Sequence, residues 1–248
     1  MKWDADGYIL SVRPHGETSA IINLFTKEKG RHAGIVRGGR SRRLRPVLQP
    51  GNQVTVNWNA RLSEHLGVFT VEALDARAAI LMQDRASLAA LNAVSALCMQ
   101  ALPEREIHLK LYDVFEILMG QLHDIDVWPA LYVRFEMALL QALGYGLDLS
   151  ECAATGSTEN LTHVSPRSGR AVCAGAAEPY LDKLLVLPPF LRGQNKVGDG
   201  DIIDGLTLSG TFLKTRVFHT QNRDIPEARS RMLVVLKRIL NAGNTSNQ

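Results

Sequence analysis

The chain has 248 residues, of which 46% are hydrophobic and 21% charged. That balance is ordinary for a folded globular protein and excludes a disordered or low-complexity chain. No run approaches the ~20 apolar residues of a membrane span, and the opening MKWDADGY lacks the apolar stretch of a signal peptide, so the expected location is the cytoplasm.

Three cysteines, Cys98, Cys152 and Cys173, make an odd, sparse set that argues against a disulfide scaffold. The net charge of +3 is unevenly spread. Residues 1–77 carry 12 Lys/Arg and 7 Asp/Glu, or +5, and residues 78–248 carry 16 and 18, or −2. A basic segment beside an acidic one suggests that the basic one meets a polyanion.

The first third reads as β-structure. Gly7–Arg13 (GYILSVR) alternates, with Tyr8, Leu10 and Val12 expected on one face and Ser11 and Arg13 on the other. Ala20–Thr26, Gly30–Arg37, Val54–Ala60 and Val68–Ala73 follow, separated by turn-forming stretches such as Pro50-Gly51-Asn52. Five short strands in so little chain predict a small barrel of the OB type. Trp58 shares a phase with Val54 and Val56, and Phe69 with Val71. Both are therefore expected in the core rather than as stacking platforms for bases.

Near Asp75 the period changes. Ala76–Leu102 is rich in Ala and Leu without internal Gly or Pro and predicts one long helix. Helices are also expected over Glu106–Leu122 and over Asp126–Leu143, the latter stopped by Gly144 and Gly146. Residues 147–178 predict an irregular or β-turn insert. A Leu-rich stretch (Pro179–Leu187), a polar loop (Gln194–Gly200) and two more helices follow, the last opening at Asp224–Glu227, with a polar, frayed tail over Asn241–Gln248.

The sharpest local signal is Arg37–Arg45 (RGGRSRRLR), with five arginines in nine residues and no acid. Hydrophobic alternation stops here, which predicts a loop. An ordinary charge run is a solvated face. Here all charges share one sign, the planar guanidinium fork suits phosphate, and glycines allow close backbone approach. Arg37, Arg40, Arg42, Arg43 and Arg45, with Lys27, Lys29 and Arg31 just upstream, are the candidate contacts to a nucleic-acid backbone, DNA or RNA alike. A non-catalytic interaction protein with an incidentally basic loop is the other reading.

Catalytic motifs are missing from the sequence. Gly205–Gly210 has P-loop glycine spacing, but Thr211-Phe212 stands where Lys-Ser/Thr is required. Neither H-E-x-x-H nor G-x-S-x-G occurs. The expectation is a protein that is not an enzyme.

Four stretches resemble the RecO family. Gly7–Arg13 with Gly16–Ala20 (GETSA) and Leu24–Thr26 (LFT) is similar to its opening strands. Gly34–Ser41 (GIVRGGRS) resembles its third strand and basic loop. Arg134–Glu136 (RFE) through Leu143–Leu149 (LGYGLDL) resembles its central helix and following turn, and Val164–Gly169 (VSPRSG) resembles the stretch between its cysteine pairs. The resemblance implies an α+β chain: an N-terminal five-stranded OB-fold barrel (1–77), then an all-helical domain (78–248) with a zinc-finger-like insert at about 147–178.

It also implies a DNA-repair and recombination mediator associated with the nucleoid. Such a protein binds single- and double-stranded DNA, anneals complementary strands, and works with RecR to load RecA onto DNA coated by single-strand-binding protein (SSB), whose C-terminal tail it contacts. Arg134 is the candidate for the tail's carboxylates. The two C-x-x-C pairs of zinc-binding members are degenerate here: Thr155 and Ala176 stand three residues after Cys152 and Cys173. Two thiolates do not close a four-ligand site, even with His163 as a third donor, so the insert is expected to be metal-free, without cofactor.

Overall fold

The structure, a computed structural model, describes residues 1–194 and 197–245, and side chains through Ala242. Parts of the polar loop at 194–200 and of the tail beyond 245 lie outside the described residues. The chain divides into two compact units, residues 1–125 with 226–236, and residues 126–225 with 237–248.

In the first unit, five strands close a barrel: Lys2–His15 (β1), Ser19–Thr26 (β2), Gly30–Val36 (β3), Gln53–Asn59 (β4) and Val68–Asp75 (β5). Their order around it is β1-β2-β3-β5-β4, and β3 and β5 pair in parallel through Ile35↔Val68 and Val36↔Phe69. β4 then closes antiparallel on the first half of β1. This is the expected OB-type barrel. Val54, Val56, Trp58 and Phe69 are all buried in its core with Ile9, Ile22 and Leu24, so the alternation read in β4 holds.

The face assignment in β1 does not hold. Its ladder with β2 shifts register between Ile9 and Ser11, and a bulge of this kind turns the following side chains over. Ile9 and Val12 therefore share the barrel interior. Tyr8 instead meets Phe115, with 5.4 Å between ring centres.

The single long helix expected over Ala76–Leu102 is also two: Ala78–Leu81 (α1) and Arg85–Ala101 (α2). Asp84 causes the break. Its backbone is extended, and its carboxylate accepts from the backbone N–H of Ser87 at 2.6 Å and from the Ser87 hydroxyl at 2.7 Å. An N-cap satisfies amides that a continuous helix would have bonded to the preceding turn. Leu109–Gln121 (α3) completes the helices of this stretch and lays Tyr112 and Phe115 against Phe25 of β2, at 5.3 and 5.1 Å between ring centres.

In the second unit, Trp128–Ala142 (α4) ends before Gly144, which takes φ +82°, a conformation that disfavours other residues. Leu161–Val164 (β6), Ala171–Cys173 (β7) and Leu185–Val186 (β8) form a small sheet in the order β7-β6-β8, so the insert is a β-knuckle rather than irregular chain. Ala174–Ala177 (α5) follows β7, and a 3-10 turn over Glu178–Lys183 replaces the Leu-rich segment's first half. Asp199–Phe212 (α6) packs on α4, where the buried Ser209 hydroxyl donates to Glu136 at 2.6 Å. Gly205–Gly210 is part of α6, so its P-loop spacing forms no phosphate-cradling loop. Glu227–Thr245 (α7) contributes its residues through Leu236 to the first unit and from Lys237 to the second. Among the described residues, no helix is long and apolar enough to cross a membrane.

Candidate nucleic-acid interface

The basic stretch is a sequence of turns at the rim of the barrel. Leu44 and Val47 pack against the barrel core and Leu48 is buried in it. That i, i+3, i+4 spacing is one face of a helical turn, which the bonds from the N–H of Arg45 to the carbonyl of Ser41 and from Leu48 to Leu44 confirm. With the leucines turned inward, Arg42, Arg43 and Arg45 stand exposed, as do Arg37 and Arg40.

Three fixings hold this rim in shape. Gly39 packs so closely that a Cβ there would lie 2.9 Å from Ala20 Cβ and 3.1 Å from Leu48 Cδ1. Arg40 Nη1 donates to the carbonyls of Gly16 and Glu17 at 3.1 and 2.8 Å, tying the loop to the β1–β2 turn. At its far end the buried Asn52 donates to the carbonyls of Pro46 and Val47, both at 2.9 Å, and accepts the N–H of Ala78.

Among the described residues, none of these five arginines has a carboxylate within ion-pair distance. Like charges crowded without internal neutralisation leave a concentrated positive field for an external anion. Two concavities adjoin it. One, about 430 Å³, is lined by Arg40 and Arg45 over Val12, Pro14, Ala20 and Leu48. The other, about 450 Å³, runs from Arg37 past Asn57, Asn59 and Thr70 to Arg61 and His65. Sequence reading missed Arg61 and His65. Their one signal is position: they follow the outward polar residues of β4.

The upstream cations differ from the loop. Arg31 is a strut: its side chain is 13% exposed, its Nε donates to the Leu102 carbonyl at 2.9 Å, and its Nη1 lies 3.3 Å from Glu104 Oε1 and 3.4 Å from Asn23 Oδ1. Lys27 pairs with Asp113 at 2.8 Å, and that hydrogen bond raises its pKa. Lys29 sits 5.9 Å from the Trp3 ring centre.

Trp58 and Phe69 are closed to bases, at 1% and 2% exposed. The half-buried Trp3 stacks on Trp58 at 5.5 Å, and His32 meets Trp3 edge-on at 5.0 Å. Burial, with Arg105 and Lys29 nearby, pushes the His32 pKa down to about 4, so the imidazole is neutral at physiological pH.

In the second unit, Arg134 is exposed on α4. Its guanidinium carbon lies 5.9 Å from the Phe190 ring centre and Nη2 donates to the Phe190 carbonyl at 3.3 Å. It rims a groove of about 480 Å³ with Met137, Leu147, Leu149 and Leu191.

The β-knuckle offers poor metal chemistry. Cys152 Sγ accepts the N–H of Cys173 at 3.3 Å, and the Thr155 hydroxyl lies 3.6 Å from Cys173 Sγ. Burial opposes ionisation of Cys152, but hydrogen bonds from Thr155 and the surrounding backbone outweigh it and lower its pKa. His163 Nδ1 is occupied by the Thr162 hydroxyl at 2.9 Å. Among the described residues, no three His, Cys, Asp or Glu side chains converge as metal donors. A hydroxyl stands where a third thiolate would be needed, so these residues do not fit a structural zinc ion.

Two family models together cover most of the chain. Residues 1–77 match the family described as Recombination protein O N terminal, and residues 82–224 match Recombination protein O C terminal. The chain is 48% identical over 242 residues to the DNA repair protein RecO of Methylorubrum extorquens (strain PA1), covering 95% of this chain and 98% of that one. It is 49% identical over 235 residues to that of Rhodospirillum centenum, covering 94% of each chain, and 48% identical over 239 residues to that of a Ruegeria strain, covering 96% and 99%. The chain belongs to the RecO family.

Proposed function

We propose that this protein is a non-catalytic DNA-repair mediator whose barrel, residues 1–77, grips the phosphate backbone of single- and double-stranded DNA through the 37–45 rim. The observation that carries this reading is five exposed arginines on a fixed loop, with no carboxylate partner among the described residues. Arg37, Arg40, Arg42, Arg43 and Arg45 make the main contacts, with Lys29 at the edge. Arg31 drops out because its donors are spent inside the unit.

Backbone neutralisation is blind to sequence and steeply salt-dependent. It suits annealing, in which two strands must be held without covering the base edges that pair. On this reading the protein works with RecR in loading RecA onto SSB-coated DNA. The Arg134 groove receives the SSB tail, its apolar floor taking side chains and the guanidinium taking a carboxylate. The knuckle works without metal, and one tightly bound equivalent of zinc in the purified protein would overturn that part.

The test is strand annealing on SSB-coated oligonucleotides, comparing the wild type with a protein in which Arg40, Arg42, Arg43 and Arg45 are alanine. The wild type should anneal and the variant should not. Equal annealing by both would sink the assignment of the loop. A matched RNA competitor displacing DNA at lower concentration would turn the reading toward RNA.

A further inference from the structure

We infer that the cavity between Arg40 and Arg45 takes a single unstacked nucleobase of a bound strand. This rests on the phosphate-binding reading above and deepens it. The cavity holds about 430 Å³. Its floor is Val12 and Pro14 of β1, Ala20 of β2 and Leu48 of the loop, and Ala20 and Leu48 are buried members of the barrel core. The cavity therefore joins an apolar floor, continuous with the barrel core, to two arginines in its wall.

A nucleobase is the occupant that this chemistry selects. Its faces are apolar and its plane stacks on guanidinium groups. Its own phosphates would lie level with the rim, where Arg37, Arg42 and Arg43 continue the positive charge along the loop. A lone carboxylate would use one arginine and leave that row unmatched. Among the described residues, Gln49 is the one uncharged polar side chain lining the cavity, and its amide nitrogen already donates to the Arg45 carbonyl at 2.8 Å. One such group gives little readout of base identity, so the cavity accepts bases without sequence preference. The buried Trp58 and Phe69 cannot offer a stacking platform, and this cavity would supply what they do not. Bases stacked and paired within a duplex cannot enter it, so the cavity favours single strands while the arginines hold either form.

The experiment uses the full chain at fixed salt and two single strands of equal length, one normal and one with abasic tetrahydrofuran at every position. The phosphates are identical, so a purely electrostatic grip binds both alike. The abasic strand should bind about tenfold more weakly, the loss expected for about one base interaction. A 4-thiothymidine in the normal strand should photo-crosslink within residues 12–14 or 45–50. Equal affinities, or crosslinks confined to the Arg61–His65 groove, would overturn the cavity while leaving the arginine grip standing. Failure of both strands to bind would overturn the phosphate-binding reading itself.

Discussion

The barrel rim and the β-knuckle both display arginine, and they use it in opposite ways. At the rim, five guanidinium groups crowd within nine residues and none meets a carboxylate among the described residues. In the knuckle, Arg170 is bracketed by Asp148 at 3.3 Å and Glu151 at 2.8 Å. The difference teaches that the count of cations carries little meaning until their partners are known. An arginine matched at home has its charge already answered, and one without a carboxylate on a fixed loop is open to an outside anion. Arg31 lies beside the rim in sequence and sides with the knuckle in use.

The strongest attempt to break this comparison is removal of the unmatched charges. Replacing Arg40, Arg42, Arg43 and Arg45 by alanine should weaken single-stranded DNA binding by on the order of 100-fold or more at moderate salt. It should also lower the slope of log affinity against log salt by about 3, four contacts at roughly 0.7 each. Fluorescence anisotropy across a salt series measures both. The melting temperature should fall only slightly, by the loss of the exposed Arg40 tie to the Gly16 and Glu17 carbonyls.

Arg31→Ala should do the reverse. Losing the bonds to Leu102 and Asn23 leaves buried acceptors unpaired, at a cost of about 2 kcal/mol, read by urea denaturation. DNA affinity should stay within twofold. An affinity loss as large as that of a rim arginine would return Arg31 to the interface.

The barrel interior is a third case, where positive charge is excluded. His32 has a folded pKa of about 4 against an ordinary 6.5. Between those values the unfolded chain binds the proton and the folded chain does not, so stability falls as pH drops from 6.5 toward 4. Near pH 5 the loss should be about 1–2 kcal/mol relative to neutral pH. His32→Leu should remove that part of the pH dependence, seen as a smaller gap between melts at the two pH values. An unchanged gap would show that the imidazole protonates freely in the fold.

The smallest effect is expected at Arg170. Its pairs are solvent-exposed, and such pairs contribute little. Arg170→Ala should leave both the melting temperature and DNA binding within error of the wild type.

Much of this was legible in the residues. The strict alternation of Val54, Val56 and Trp58 gives both a strand and its inward face, because a two-residue period has a single solution against one core. The nine residues from Arg37 to Arg45 announce themselves by charge alone. What the sequence hid was non-local or a single-residue event. The β1 bulge inserts one residue and reverses every face after it, and nothing in GYILSVR marks the place. The break before α2 was visible in Asp84 and Ser87, but continuous Ala and Leu outweighed a two-residue cap. Arg31 is indistinguishable from its neighbours until Leu102 and Glu104, 71 and 73 residues away, are brought beside it. Leu44, Val47 and Leu48, spaced as a helical turn, were a readable sign that the loop is seated on the barrel.

The clamps on the rim have a consequence for transplantation. Asn52 grips one end of the loop from beneath, and Arg40 reaches back to the Gly16–Glu17 carbonyls at the other. The chain has therefore surrendered most of its freedom here before any strand arrives, so little ordering entropy remains to be lost on binding. A host barrel given only the nine residues would receive the charges without their shape. It would need the neighbouring hairpin turn and the asparagine as well, because the loop's shape depends on three separate pieces of chain.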